Sequence, residues 1–246
     1  MPVDRALWKR AIGGIAPPWP CPTCADGKLA IKRSTFHTEW TAQSRANRHN
    51  EDFSMFEVET VFSTLLECVK CKEIVGCCGH GGYEPEEWPD EEGNYHITDT
   101  PWYQPQYFTK PMRLFAPPRK VPFSIRQTLD RSFMLFFADH CAAANLIRQC
   151  VEEVMEDAGI ARKTNKGNFR TFESRLTEYE KGSADNAVLA SALRVIGNFG
   201  SHPDTLTRDH VLDGYDILEQ LLEDQYVGQY RKTREGAARI HKTRAL

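Results

Sequence analysis

The sequence predicts an α+β protein in which a zinc-ribbon-like β module precedes a bundle of α-helices. Two cysteine pairs of equal spacing, Cys21-Pro-Thr-Cys24 and Cys68-Val-Lys-Cys71, lie in the first third of the 246 residues. Apolar residues recur at helical intervals only from Ser124 onward. A proline-rich junction at residues 117–122 separates the two regions, since prolines interrupt regular structure.

The two cysteine pairs predict a structural zinc site. Each pair has the spacing Cys-x2-Cys, in which one tight turn presents two thiolates to the same metal ion. Two such turns supply the four ligands of a tetrahedral site with one Zn²⁺ per chain. The expected ligands are Cys21, Cys24, Cys68 and Cys71. Redox pairs and buried apolar cysteines are the alternatives, but neither pair stands at the start of a helix in a βαβ unit.

Short strands are expected beside the cysteine turns. Leu29–Lys32 follows an Asp-Gly turn and predicts a strand after the first pair. A second strand is expected to lead into the second pair, because apolar and β-branched residues alternate there with a period of two. These residues are Phe56, Val58, Thr60 and Phe62.

Residues 76–121 show little helical periodicity and predict one or two strands within long connecting loops. An acidic insert at residues 84–92 falls in this region. Cys77, Cys78 and His80 follow the second cysteine pair closely and are expected not to bind the metal, because adjacent cysteines rarely serve one ion. A second metal site, or replacement of one ligand, is the alternative.

Charge and hydropathy limit the function classes. The net charge of −3 argues against a general polyanion-binding protein. No apolar run is long enough to span a membrane, and the N-terminus lacks a signal peptide, so a cytoplasmic protein with reduced thiols is expected. The C-terminal tail at 229–246 is basic, and it is either solvated or in contact with nucleic acid. Its basic residues are Arg231, Lys232, Arg234, Arg239, Lys242 and Arg244.

The expected division is a β module at 1–121, a helical bundle at 122–228 and the basic tail. One long helix is predicted to begin near Phe133 and to end at Gly159. Three further helices are predicted, one capped by Thr171, one over 184–199 and one over 211–222.

Arg194, Asn198 and His202 form the clearest polar set in the helical region. They are spaced four residues apart, so they share one face if the helix continues that far. An Arg and a His on one face can cleave a phosphodiester without metal, with the His as general acid or base and the Arg on the phosphate. The alternative is structural: His202 caps the helix and Asn198 binds a neighbouring loop.

Two further groups of residues on the long helix each have more than one possible role. Arg148 and Glu152 are spaced for a helix-stabilising ion pair, which is the simpler interpretation. The alternative is that this pair anchors Asn198 or His202. His140 falls on the apolar stripe and is expected in the core or at an interface.

The order of these motifs resembles the domain of unknown function 4145 family of bacteria and phages. The resemblance covers residues from about 20 to 228. It rests on the cysteine pairs, on Ala143–Glu152 and, most specifically, on the Arg-x-x-Gly-Asn-x-x-x-His sequence that begins at Arg194.

The resemblance implies a HEPN-like helical bundle (higher eukaryotes and prokaryotes nucleotide-binding) in a nucleic-acid-associated defence or counter-defence protein. Many HEPN domains are homodimeric, metal-independent endoribonucleases. In that role Arg194 holds the phosphate and His202 transfers the proton, both at a two-fold interface. Asn198 orients one of these two residues. The seven residues between Arg194 and His202 exceed the gap of the usual HEPN motif, and Val195 replaces its polar neighbour. RNA, another nucleic acid or a defence protein is the implied partner.

A non-catalytic, zinc-stabilised adaptor is the alternative function. In that case the zinc module and the acidic insert bind a protein partner, and the polar face of the helix only stabilises the bundle. Open access to Arg194 and His202 favours the enzyme, whereas burial of both against backbone groups favours the adaptor.

Overall fold

The computed structural model describes residues 3–9, 17–24, 26–90, 92–200 and 205–228, together with 233, 236, 239 and 240. The chain divides into two compact units, Asp4–Arg113 and Leu114–Leu246, and Val3 belongs to the second. A β-sheet dominates the first unit and α-helices form the second, so the expected α+β class is confirmed. None of the helices in the described ranges combines the length and apolar character that a membrane crossing requires.

The first unit is built on a curled antiparallel sheet. Strands β1 and β2 pair end to end with one edge of β3, β4 pairs with its other edge, and β5 pairs with β4. Two short helices, α1 (Arg5–Lys9) and α2 (Ala42–Asn47), accompany the sheet. The strands are β1 (Leu29–Ile31), β2 (His37–Trp40), β3 (Thr60–Cys68), β4 (Ile74–Pro89) and β5 (Tyr95–Phe108).

The inner face of the sheet holds the core of this unit. Alternate residues of β3, from Thr60 to Cys68, are buried, as the period of two predicted. The strand begins later than expected, because Phe56 lies in a short 3-10 turn and is exposed. Phe36, Phe62 and Tyr103 pack together with ring centroids 4.9 to 5.9 Å apart.

The region 76–121 contains far more strand than the sequence predicted. Strand β4 pairs with β3 only as far as Gly81, but its pairing with β5 continues to Pro89 opposite Tyr95. Residues 82–89 and 95–102 therefore form a two-stranded ribbon, the β-arm, and most of the acidic insert lies on it rather than in a loop. Prolines such as Pro85 and Pro101 argue against a central strand, but this ribbon lacks a third strand and tolerates them.

The second unit is a bundle of helices. Its elements are α3 (Phe123–Leu135), α4 (His140–Asp157), α5 (Phe172–Gly182), α6 (Ala184–Phe199) and α7 (Arg208–Tyr226). The single long helix expected from Phe133 to Gly159 is wrong, since the chain breaks between α3 and α4. The Asp139 carboxylate accepts a hydrogen bond from the Ala142 N–H at 2.8 Å and caps α4. The apolar repeat runs through this break, so periodicity alone concealed it.

Helix α4 is central and packs against α3, α6 and α7. Fully buried apolar side chains fill the space between these helices. The buried Tyr215 and Ser132 hydroxyls share a hydrogen bond of 2.7 Å, and burial raises the pKa of Tyr215. His140, on the expected apolar stripe, is half-buried, and its Nε2 lies 2.8 Å from the Leu206 carbonyl oxygen.

Arg175 of α5 closes the C-terminal end of α4. Its side chain is buried, and its Nη2 donates to the carbonyl oxygens of Glu152 at 2.7 Å and Ile160 at 3.1 Å. One buried guanidinium thereby links the last turns of α4 to the segment that follows the helix. This contact fixes α5 against α4 and so sets the position of the α5 N-terminus.

Candidate functional site

The four cysteines predicted from their spacing lie together at one end of the sheet. Their Sγ atoms are all within 4.8 Å of one another. Cys21 and Cys71 are 3.6 Å apart, and Cys24 and Cys68 are 3.7 Å apart. A tetrahedral zinc with Zn–S bonds of about 2.3 Å requires sulfur separations of about 3.8 Å. The residues present therefore fit a four-coordinate metal ion, as the sequence predicted.

The two turns point backbone N–H groups at the sulfurs. The Thr23 N–H donates to Cys21 Sγ at 3.4 Å, and the Cys71 N–H donates to Cys68 Sγ at the same distance. Lys72, which follows the second turn, has a φ of 63°, in the left-handed region. The N–H donors of Thr23 and Cys71 favour the thiolate form of a cysteine over the thiol, and the thiolate is the form that binds metal.

Gly27 has no side chain, and this leaves space for the Sγ atoms of the cysteines. A Cβ atom at this position would lie 2.3 Å from Cys68 Sγ and 3.0 Å from Cys24 Sγ. The Gly27 carbonyl oxygen also accepts a hydrogen bond of 2.8 Å from the Cys21 N–H. A residue without a side chain is therefore required beside the metal ligands.

The thiols influence one another's ionisation. The Cys71 N–H is the main cause of a Cys68 pKa lowered to about 6. On Cys71 itself the Glu73 N–H lowers the pKa, but burial and the thiols of Cys68, Cys24 and Cys21 outweigh it and raise the pKa to about 12. Four sulfurs this close ionise together only with a cation among them.

Polar contacts hold the two cysteine turns against each other. Lys70 Nζ lies 2.8 Å from Asp26 Oδ2, which joins the second turn to the first. Glu73 Oε2 accepts from Thr23 Oγ1 and from Lys110 Nζ, both at 2.7 Å. These links fix the approach of the ligand pairs independently of the ion.

Cys77, Cys78 and His80 are not in the four-sulfur group. They lie on β4, where Cys77 is buried on the inner face and the other two side chains are exposed on the outer face. Burial raises the pKa of Cys77, so its thiol stays protonated. Within the described residues, the group that could hold a metal ion consists of Cys21, Cys24, Cys68 and Cys71.

Two of the three polar residues predicted as catalytic lie on α6. Arg194 is half-buried and Asn198, one turn later, is exposed, so they share an accessible face of the helix. His202 lies outside the described residues, which omit 201–204. In the basic tail, only Arg239 of the six basic residues is described.

Arg194 is bound to α5. Its Nη1 lies 2.7 Å from Glu173 Oε2, in the first turn of α5, with 31% of the arginine and 63% of the glutamate side chain exposed. Its buried Nε has no hydrogen-bond acceptor in the part of the chain that the structure describes. This donor is unfilled but buried, whereas the Nη1 end that meets Glu173 is accessible.

Close packing against α4 determines where this polar face stands. A Cβ on Gly197 would lie 2.4 Å from Arg148 Cβ, and a Cβ on Gly200 would lie 2.6 Å from the Cys141 carbonyl oxygen. The glycines let α6 approach α4 at the point where Arg194 and Asn198 emerge. They weaken a helix in isolation, and this contact accounts for their presence.

Arg148 and Glu152 form the ion pair that their spacing predicts. Arg148 Nε lies 3.6 Å from Glu152 Oε1, and the guanidinium sits over the Phe172 ring at 5.5 Å. Neither contact reaches Asn198. Arg148 and Arg194 instead contact consecutive residues, Phe172 and Glu173, in the first turn of α5.

An exposed apolar stripe on α6 was not identified from the sequence. Val188, Val195 and Phe199 are exposed and fall at i, i+7 and i+11, which places them on one side of the helix. Val195 and Phe199 also line a cavity of about 490 Å³ between α6 and the start of α7. The spacing of these residues is visible in the sequence, but their exposure depends on which face α4 covers.

Comparison with known families divides the chain in two. Residues 13–108 match the family described as Domain of unknown function (DUF8608), and residues 130–243 match Domain of unknown function (DUF4145). No curated protein and no solved structure matches the chain. The match over residues 130–243 supports the domain of unknown function 4145 family expected from the sequence, and it covers most of the helical unit. The expected extent of that resemblance from about residue 20 is wrong, since the cysteine pairs lie in the region that matches the other family.

Proposed function

We propose that this chain is a cytoplasmic, nucleic-acid-associated protein of a prokaryotic or phage defence or counter-defence system, and that it cleaves RNA without a catalytic metal. The observation that carries the proposal is the accessible face of α6, where Arg194 and Asn198 stand one turn apart. His202 continues the same spacing along the sequence.

The proposed chemistry uses the RNA 2′-hydroxyl as the nucleophile. His202 accepts the proton of that hydroxyl, the 2′-oxygen attacks the adjacent phosphorus, and the 5′-oxygen leaves and takes up a proton. The products are a 2′,3′-cyclic phosphate and a 5′-hydroxyl end. Arg194 holds the non-bridging oxygens, on which negative charge grows in the transition state, and Asn198 orients Arg194 or His202.

The accessible part of the Arg194 guanidinium supports this role. Its Nη1 is held by Glu173, and 31% of the arginine side chain is exposed. An incoming phosphate competes with the Glu173 carboxylate for this part of the guanidinium. Because Glu173 is mostly exposed, its displacement costs little.

The metal centre is proposed to hold one structural Zn²⁺. Thiolate-only sites of this size suit zinc, and all four coordination positions are taken by Cys21, Cys24, Cys68 and Cys71. Such a site has no open position for water or substrate. Its contribution is to hold the two turns and the strands that carry them, in the manner of a zinc ribbon.

A homodimer is proposed, with the two copies meeting at α6 in a HEPN-like arrangement. The exposed stripe of Val188, Val195 and Phe199 supports this, because three apolar side chains on one helix face leave water when they pair with a second copy. The stripe neighbours Arg194 and Asn198 on the same helix. A two-fold axis here would bring two sets of polar residues together.

The test is cleavage of labelled RNA in buffer that contains EDTA, with zinc content measured before and after. Cleavage by the wild type, and its loss in both Arg194→Ala and His202→Ala, is the expected result. Products should carry a cyclic phosphate. Absence of cleavage, dependence on Mg²⁺, or cleavage that survives either substitution would overturn the proposal.

A non-catalytic adaptor is the second candidate, and the β-arm favours it. Trp88, Tyr95 and Ile97 are exposed among the carboxylates of this arm, a combination typical of protein-binding surfaces. If wild-type protein leaves RNA intact, the substitutions Tyr95→Ser and Ile97→Ser should abolish binding of a purified partner without loss of zinc. Unchanged binding would exclude the arm as the docking surface.

A further inference from the structure

We infer that the unit Asp4–Arg113 binds one nucleotide of a single-stranded nucleic acid in a cleft between the sheet and α2. The cleft has a volume of about 600 Å³, which is the size of a pocket for a small ligand such as a nucleotide. It is lined by Thr38, Glu39, Trp40, Arg45, Arg48, His49 and Tyr83.

The inner face of the sheet supplies the floor of this cleft. Trp40 lies opposite Thr60 and Thr38 opposite Phe62, so both β2 side chains point to the buried face of β3. Tyr83 belongs to the same face, two residues beyond Gly81 on β4. The floor therefore contains two half-buried aromatic rings, those of Trp40 and Tyr83.

Helix α2 supplies the wall. Thr41 caps it by accepting from the Ser44 N–H, and the buried Ser44 hydroxyl accepts from the Glu59 N–H at 2.9 Å. These two contacts anchor the helix at the start of β3. Arg45, and Arg48 just past its end, are then placed over the cleft.

Positive charge is concentrated at this place in an otherwise acidic unit. The cleft is lined by Arg45 and Arg48 against the single acidic residue Glu39. Glu39 is paired with Arg45 at 2.8 Å, and both side chains are mostly exposed. Arg48 and His49 have no acidic partner among the described residues, so their donors are available to an anion.

Aromatic rings beside an unpaired arginine match the chemistry of a nucleotide. A base stacks on an aromatic ring, and arginine binds the phosphate that follows it. The Trp40 indole packs against the Phe53 ring, with ring centroids 6.2 Å apart. A base must leave its stack to enter a cleft, and this favours single strands over a duplex.

This cleft goes beyond the proposed ribonuclease, because it belongs to the sheet unit whereas Arg194 belongs to the helical unit. Binding of single-stranded DNA distinguishes nucleotide binding in the cleft from RNA cleavage at Arg194. Such DNA offers bases and phosphates to the cleft, but it lacks the 2′-hydroxyl that the proposed cleavage requires.

The experiment measures fluorescence anisotropy of a short labelled single-stranded DNA titrated with the full chain. The double variant Arg48→Ala/His49→Ala should bind about tenfold more weakly, and Trp40→Leu should lose a similar factor through the missing stack. Arg33→Ala removes one arginine outside the cleft and is the control for the loss of Arg48, with an expected change below about twofold. Zinc content and circular dichroism establish that each variant is folded, and the double variant alters only exposed residues.

Competition with unlabelled molecules identifies the class of ligand that binds in the cleft. Unlabelled single strand should displace the probe at a lower concentration than the same sequence as a duplex, than adenosine monophosphate, or than polyglutamate. The inference is overturned if the wild type does not bind, if the cleft variants bind like Arg33→Ala, or if any of the other three competitors equals the single strand.

Discussion

The guanidinium of Arg194 and the carboxylate of Glu173 meet across 2.7 Å, and this ion pair joins α6 to the first turn of α5. The pair is accessible to solvent, so it adds little to folding stability. Its consequence is electrostatic, since Glu173 partly neutralises the arginine that the proposed mechanism assigns to the phosphate. Glu173 then acts as a competitor of the substrate.

Glu173→Gln is expected to raise RNA cleavage. The neutral side chain no longer competes with phosphate, and kcat/KM should increase about three- to tenfold, mainly through a lower KM. Glu178→Gln is the matched control, because Glu178 forms a similar exposed ion pair with Arg170 at 2.6 Å on the same helix. Equal effects of the two substitutions would show that the Arg194 pair has no special role.

Purified protein should contain about one zinc per chain, as the four-sulfur group requires. Replacement of Cys68, the most buried of the four ligands, by serine should lower this ratio strongly and unfold the sheet unit first. Atomic emission and thermal unfolding measure both effects. Cys141→Ser, which alters a cysteine of the helical unit, should leave the zinc content unchanged. Fully folded protein without metal would contradict the assignment.

Gly27→Ala tests the geometry of the same centre. Because the new methyl would lie 2.3 Å from Cys68 Sγ, the turn or the sulfur must shift. We expect zinc affinity to fall at least about tenfold, and the midpoint of unfolding of the sheet unit to decrease. Gly182→Ala places a methyl where no atom lies within 4 Å and should change neither quantity.

Phe199→Asp tests the proposed dimer. A charge in the exposed apolar stripe of α6 should convert the dimer to a monomer, measured by sedimentation, and should weaken its association at least about tenfold. Phe169→Asp introduces the same charge at another exposed aromatic position and serves as the control. A wild-type monomer, or a dimer that is unaffected by Phe199→Asp, would contradict the interface.

Interactions between residues that are close in the sequence were predicted correctly, whereas a contact between residues far apart was not. The Cys-x2-Cys turns are local and carry their own geometry, so the four-sulfur group was predictable residue by residue. The pairing of Arg148 with Glu152 was predictable for the same reason. The contact between Arg194 and Glu173 was not, because it depends on how α5 is fixed against α4 by the buried Arg175.

Two elements were misjudged for identifiable reasons. The β-arm contains several prolines, which are unusual in strands but are compatible with a ribbon that has no third partner. The break between α3 and α4 falls where apolar residues continue at helical spacing, and only the cap at Asp139 marks it. The cleft under α2 was missed because its aromatic and basic residues come from separate elements.

The role of Arg194 in metal-independent RNA cleavage is tested most directly by comparing the cleavage rates of Arg194→Ala and Arg162→Ala in metal-free buffer. Arg162 is a close match, since it is 36% exposed and pairs with Glu156 at 2.8 Å, much as Arg194 pairs with Glu173. We expect Arg194→Ala to lower the cleavage rate by at least about a hundredfold, whereas Arg162→Ala should retain at least about half of the wild-type rate. Equal rates in the two variants, or no cleavage by the wild type, would contradict that role.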